Sequence, residues 1–145
     1  MSTFAVELLE SVRTNGKLRF YSLIKDGNNL FDSFFNEVSR DKRHKTDLIR
    51  IISTMDYVAE TDAKMPKEKV NSIKDGDRVV GLEFKKNDLR VYCLKLEPNV
   101  VVIMGGYKKN QNKDLNTIKQ LLKDNKELPE LLLLEISKLE QNDYL

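Results

Sequence analysis

At 145 residues, 40% of them hydrophobic and 33% charged, the chain has the make-up of one globular domain, long enough to bury a core without disulfides or a structural metal. Its longest aliphatic run near the end, Leu131 to Leu134, is far short of the ~20 apolar residues of a membrane span, and Met1 to Val12, with Glu7 and Glu10 and no basic leader, does not read as a secretory signal. The net charge of +2 hides a segregation: residues 64–113 carry 12 Lys/Arg against 6 Asp/Glu, while 1–63 carry 9 against 10 and 114–145 carry 4 against 7, which points to a polyanionic ligand close by, with a solvated lysine-rich surface as the equal alternative.

Phe4, Leu8, Leu9 and Val12 share one face at helical spacing, with Ser2 or Thr3 available as N-cap, which predicts a short amphipathic helix broken at Asn15-Gly16. Leu18, Phe20, Ser22 and Ile24 alternate with Arg19, Tyr21, Leu23 and Lys25, a strand pattern that Asp26-Gly27-Asn28 ends as a turn. Leu30, Phe31, Phe34, Phe35 and Val38 line a helix that Asn29 with Asp32 can cap, and Leu48, Ile51, Ile52, Met55 and Val58 line a second, opened by Thr46 and Asp47. The short polar run Ser39 to Lys45 between them predicts a helical hairpin.

From Val70 the pattern turns to strands. Val79–Phe84, Leu89–Leu96 and Val100–Met104, separated by Lys86-Asn87-Asp88 and Glu97-Pro98-Asn99, predict an antiparallel meander with the helical hairpin on one face. The third strand is apolar on both faces and should lie inside the sheet. Leu115, Ile118, Leu121 and Leu122 predict a further helix ending at Asn125, and Pro129 opens another that carries Leu131–Leu134, Ile136 and Leu139. The expected fold class is α+β.

Much familiar chemistry has no footing here. His44 and Cys93 are the only histidine and cysteine, so a zinc site, a Cys/His nucleophile pair and an internal disulfide are not expected; the lone thiol fits a reducing, cytoplasmic setting. Neither phosphate-binding glycine motif is present, and Gly105-Gly106 reads as a strand end needing little side-chain room. What remains is cationic. Lys85 and Lys86 end one strand, Arg90 and Tyr92 share a face of the next, opposite Leu89, Val91 and Cys93, and Lys108 and Lys109 end the third. With the hairpin on the other face, Arg90 is expected to project into an open groove, or to pair across strands with Glu83.

The segments Gly81-Leu82-Glu83-Phe84-Lys85 and Leu89-Arg90-Val91-Tyr92, with Val102 to Lys113 ending Gly106-Tyr107-Lys108-Lys109-Asn110-Gln111-Asn112-Lys113, resemble the RelE/ParE/HigB toxin superfamily, most closely its HigB-like branch. They look like that family's L-x-E-[LF]-[RK] strand, its Y-R-[LV]-[LY]-Y strand and its L-[HG]-G-F-x-K-K-x-x-K-x-P segment. The order strand, two helices, three-strand meander, helix matches as well. The resemblance spans roughly Lys17 to Asn125 of a single domain, leaving extra helical sequence at both ends, including a C-terminal extension over 126–145. Asp114 stands where the family usually has proline.

The resemblance implies a RelE-like fold and a toxin of a type II toxin–antitoxin system, an endoribonuclease that cleaves mRNA on the ribosome by 2′-hydroxyl attack, without metal or cofactor. The catalytic group expected is Arg90 on the phosphate, Glu83 as base, and Lys85 and Lys109 as phosphate contacts or proton donors, with Lys86, Tyr92, Tyr107, Lys108 and Lys113 binding RNA. Simple sheet packing is the alternative for both tyrosines. Arg90→Ala is expected nearly to abolish cleavage and to leave the fold intact. A cognate antitoxin is the implied partner. Leu131–Leu134 offers a docking surface for it or for a homodimer, unless that helix packs back on the domain. Two rivals stand beside this: a ParE-like gyrase-inhibiting toxin without nuclease activity, and a non-catalytic RNA-binding or interaction module.

Overall fold

Asp26 and Gly27 both hold positive φ, 51° and 80°, the backbone twist that a two-residue hairpin loop requires and that glycine adopts without steric cost. They turn β2 (Arg19–Lys25) back on the two-residue strand β3 (Asn28–Asn29), pairing Lys25 with Asn28 and Ile24 with Asn29. Asn29 then caps α1 (Leu30–Ser39), its side-chain oxygen accepting the Asp32 N–H at 2.9 Å. The connection 40–44 leads into α2 (Lys45–Thr61). A computed structural model describes residues 2–10, 12, 18–61, 70–75, 79–84, 87–96 and 98–142, with side chains for 2–10, 12, 18–59, 87–96 and 98–141.

The expected N-terminal helix is a strand instead. β1 (Phe4–Leu8) runs antiparallel to β2, from Phe4 opposite Lys25 to Leu8 opposite Tyr21. Phe4 and Leu8 are four apart, a spacing that suits one helix face and one strand face equally, and Val6 between them is buried on the same side. A segment this short gains more from pairing along β2 than from the few hydrogen bonds of an isolated helical turn. Leu9 and Val12 pack in the opposite core, so the supposed helical stripe is divided between two faces of a sheet.

The remaining strands are β4 (Val70–Asp75), β5 (Val79–Phe84), β6 (Leu89–Leu96) and β7 (Asn99–Tyr107). The expected meander is present, β5 to β6 to β7 antiparallel, and β4 extends it. β7 lies inside the sheet, as its two apolar faces require, and runs parallel to β2 from Arg19 opposite Asn99 to Ser22 opposite Val102. The order is β1-β2-β7-β6-β5-β4, a mixed sheet in an α+β protein.

Helices cover both faces. α1 and α2 bury Phe31, Phe34, Leu48, Ile51 and Met55 against Phe20, Leu89, Val91, Cys93 and Val102. On the other face α3 (Gln111–Asp124) and α4 (Leu128–Asn142) bury Leu115, Ile118, Leu128, Leu132 and Ile136 against Tyr92, Leu94, Val101 and Ile103. Among the described residues no helix is long and apolar enough to cross a membrane.

The register slips between Tyr92 and Cys93, which pair with Met104 and Val102 and leave Ile103 as the extra residue of a bulge. Ile103 and Met104 consequently both pack on the α3–α4 side, and every residue after them changes face. The bulge therefore turns Tyr107 onto the α1–α2 side, where plain alternation from Val101 would have sent it to α3.

Candidate functional site

Arg90 points to the face that strand alternation assigns it, but that face is not an open groove. α3 lies over it, and the side chain is 2% exposed. Nε donates to Gln111 Oε1 at 2.9 Å, and Nη1 donates to the Asn87 and Leu89 carbonyls at 2.9 and 3.0 Å. Burying a guanidinium is unfavourable unless such bonds replace its water. The cause of the covering is apolar: Leu115 and Ile118 seek Tyr92, Leu94 and Ile103, and the first turn of the same helix then extends across Arg90. Glu83 stands directly opposite Arg90 in the register. The side chain of Glu83, and Lys85 and Lys86 as a whole, lie outside the described residues.

Tyr92 is likewise no stacking platform. It is fully buried, and its hydroxyl finds no hydrogen-bond partner among the described residues. Burial, and after it the Asp114 carboxylate, push its hydroxyl up to about 12 against a lesser opposing effect of Arg90. Asp114, in the first turn of α3, is itself held above the usual carboxylate range by burial, with Lys113 acting the other way. The sheet-packing alternative for Tyr92 is the one the structure has.

Gly105 and Gly106 admit two neighbours that a side chain would exclude. A Cβ on Gly105 would run into the Phe34 ring on the α1 side, and one on Gly106 would meet the Asp114 carboxylate on the α3 side. Both helices therefore approach the end of β7 because nothing projects there.

Beyond the glycines the chain does present cations. Tyr107 is half-buried, its ring centroid 5.7 Å from Phe34 and 5.3 Å from His44 in edge contacts. Lys108 N–H donates to the Asp88 carbonyl at 2.7 Å, which ties a single 3-10 turn, Lys108–Asn110, to the β5–β6 hairpin. Lys108, Lys109 and Lys113 are all exposed. The structure thus brings Tyr107, Lys108, Lys109 and Lys113 to one end of the sheet, with Arg90 and Tyr92 beneath α3 beside them.

Four cations at that end were not among the expected site residues: Arg40, Lys42, Arg43 and Lys45, all exposed, in and just after the α1–α2 connection that His44 brings against Tyr107. The signal was present as the run Arg40-Asp41-Lys42-Arg43-His44-Lys45, but it is diluted by the acidic residues of the same third of the chain.

Among the described residues no group of three or more His, Cys, Asp or Glu side chains is placed to hold a metal. Cys93 is buried in β6, and burial raises its thiol to about 12, far from a reactive thiolate. Comparison with protein-family models, with curated proteins and with solved structures gives no match for this chain.

Proposed function

We propose that the chain is an RNA-cleaving toxin of the RelE/HigB type, held in check by a partner protein. The carrying observation is the convergence of Lys108, Lys109 and Lys113 with half-buried Tyr107 where β7 ends, beside the strand that carries Arg90. The order of elements from β2 onward supports the same reading: β2, two helices after the short β3, then a meander whose last strand, β7, returns alongside β2, while β1 adds a further strand at the edge.

Cleavage requires a base for the 2′-hydroxyl proton, attack of that oxygen on phosphorus to give a 2′,3′-cyclic phosphate, and a proton for the departing 5′-oxygen. Lys108, Lys109 and Lys113 stand in solvent and can face phosphate oxygens, and Lys109 is the proposed donor to the leaving oxygen. Glu83 is the proposed base, from its register with Arg90. Arg90 acts as a positioning residue, fixing Gln111 and so the first turn of α3 beneath the lysines.

The burial of Arg90 favours a second reading, a non-catalytic RNA-binding module. Expression of the chain alone separates the two. The toxin arrests growth and leaves new RNA ends, and Lys108→Glu with Lys109→Glu abolishes both effects. RNA that co-purifies uncut from unimpaired cells favours the module. A toxin also implies an antitoxin recoverable from the native host. Only Leu133 and Leu134 of the terminal leucine run remain exposed to meet it, since Leu132 is in the core.

A further inference from the structure

The α1–α2 connection is a built loop, and its only acid, Asp41, is engaged within the turn. Asp41 Oδ1 accepts the Arg43 N–H at 2.9 Å, its Oδ2 lies 2.8 Å from His44 Nδ1, and its carbonyl accepts the Lys45 N–H at 3.0 Å. Its negative charge is spent on holding the turn, while Arg40, Lys42, Arg43 and Lys45 stand in solvent.

This loop and the Lys108–Lys113 segment share one support. Asn87 Nδ2 donates to the Asp47 carbonyl at 3.0 Å, fixing the first turn of α2 to the β5–β6 hairpin. The neighbouring Asp88 carbonyl receives the Lys108 N–H. The His44–Tyr107 edge contact closes the join between the two segments. Seven exposed cations are therefore carried on two arms whose backbones are fixed to the same hairpin, so little ordering is needed when a ligand engages both.

The chemistry of the patch indicates its ligand. Among the described residues the exposed large hydrophobic side chains are Ile49, Tyr57, Leu133 and Leu134; only Ile49, one turn beyond Lys45 on α2, borders an arm, and neither arm contains one. Protein interfaces are centred on apolar and aromatic anchors, and peripheral membrane binding is firmest where apolar side chains insert beside the cations. Long cationic side chains without an apolar centre suit a phosphate backbone, which they hold in register without reading bases.

We infer that Arg40, Lys42, Arg43 and Lys45 form a second backbone-binding arm for RNA, continuous with Lys108, Lys109 and Lys113, and that one strand engages both arms at once. This rests on the RNA reading above. The test is binding of a labelled single-stranded oligouridylate across a salt series, using the wild type and two variants. One variant carries Arg40→Gln, Lys42→Gln, Arg43→Gln and Lys45→Gln; the other carries Lys108→Gln, Lys109→Gln and Lys113→Gln. Each neutralised phosphate contributes about 0.7 to the slope of log affinity on log salt for a single strand. The four-residue variant should flatten that slope by about 3 and the three-residue variant by about 2. Circular dichroism and thermal melting check that both fold, and Lys42→Gln alone, flattening the slope by about 0.7, serves if the four-residue variant does not. Wild-type affinity and slope in the loop variants, alongside weakened binding in the other, would overturn the second arm and leave the RNA reading standing. Wild type that binds no RNA sinks the RNA reading. Loop-dependent binding to vesicles of anionic lipid in place of RNA would overturn the ligand assignment.

Discussion

Two pairs of an aromatic residue and a cation lie close together here and have opposite surroundings. Tyr92 and Arg90, two residues apart on β6, are sealed beneath α3, whereas Tyr107 and Lys108, adjacent where β7 ends, remain at the surface. Strand parity determines which way a side chain points; whether that direction is open depends on what later sequence lays over it. For Arg90 the covering helix begins 21 residues on, at Gln111. A cation in a strand and a cation just past its end therefore carry different meanings, the first bound into the fold and the second available to a ligand.

Mutating the two regions should separate those meanings. Arg90→Ala removes a buried charge and leaves the Asn87 and Leu89 carbonyls and Gln111 without their donor, so it should destabilise by about 3–5 kcal/mol in urea unfolding. This replaces the expectation that the variant keeps its fold. Lys109→Ala should change stability by less than about 0.5 kcal/mol while weakening RNA binding. An Arg90→Ala protein with wild-type stability would erase the contrast.

The glycine pair sharpens the comparison, since its two members face the two regions. Gly105→Ala drives a methyl into the Phe34 ring, which is packed in the α1–α2 core and cannot retreat, at a cost of about 1–3 kcal/mol. Gly106→Ala meets the end of the Asp114 side chain, which can swing away, so its cost should be smaller, about 1 kcal/mol or less. Thermal melting of both variants measures this, and equal losses would mean that α3 is held as rigidly as α1.

How far the sequence foretold these regions varies with the range of the cause. The Asp26-Gly27 turn and the Asn29 cap are local, and the residues that make them lie within three positions of one another. The facing of Leu89, Val91 and Cys93 against Tyr92 and Leu94 follows from a period of two. β1 was not legible because Phe4 and Leu8 satisfy both periods. The facing of Tyr107 depends on a bulge that leaves no composition signature, and the covering of Arg90 on Leu115 and Ile118 seeking the same sheet face. The run Arg40–Lys45 is plain in the sequence, but only folding brings its His44 against Tyr107, next to Lys108 and Lys109.

Acid titration should distinguish the same two regions by sign, with the smallest effect. In the buried one, Asp114 has its folded pKa raised above the ordinary 3.8 by burial, so the folded state binds its proton more tightly than the unfolded chain does. Its contribution is fully present below 3.8 and is lost as pH rises through the raised folded value. In the exposed region Asp41 has its pKa lowered, first by the hydrogen bond with His44 and then by the Arg43 N–H. Its contribution is present above 3.8 and is lost as pH falls through the lowered value. Unfolding free energies measured from neutral to acid pH should therefore diverge. Relative to Asp114→Asn the wild type gains stability as pH falls, by less than about 1 kcal/mol because Asp114 is only partly buried; relative to Asp41→Asn it loses stability. If the Asp114 difference is flat, the carboxylate is solvated and α3 does not seal the Arg90–Tyr92 face. If both differences fall together toward acid pH, the two regions share one electrostatic environment and the division between them fails.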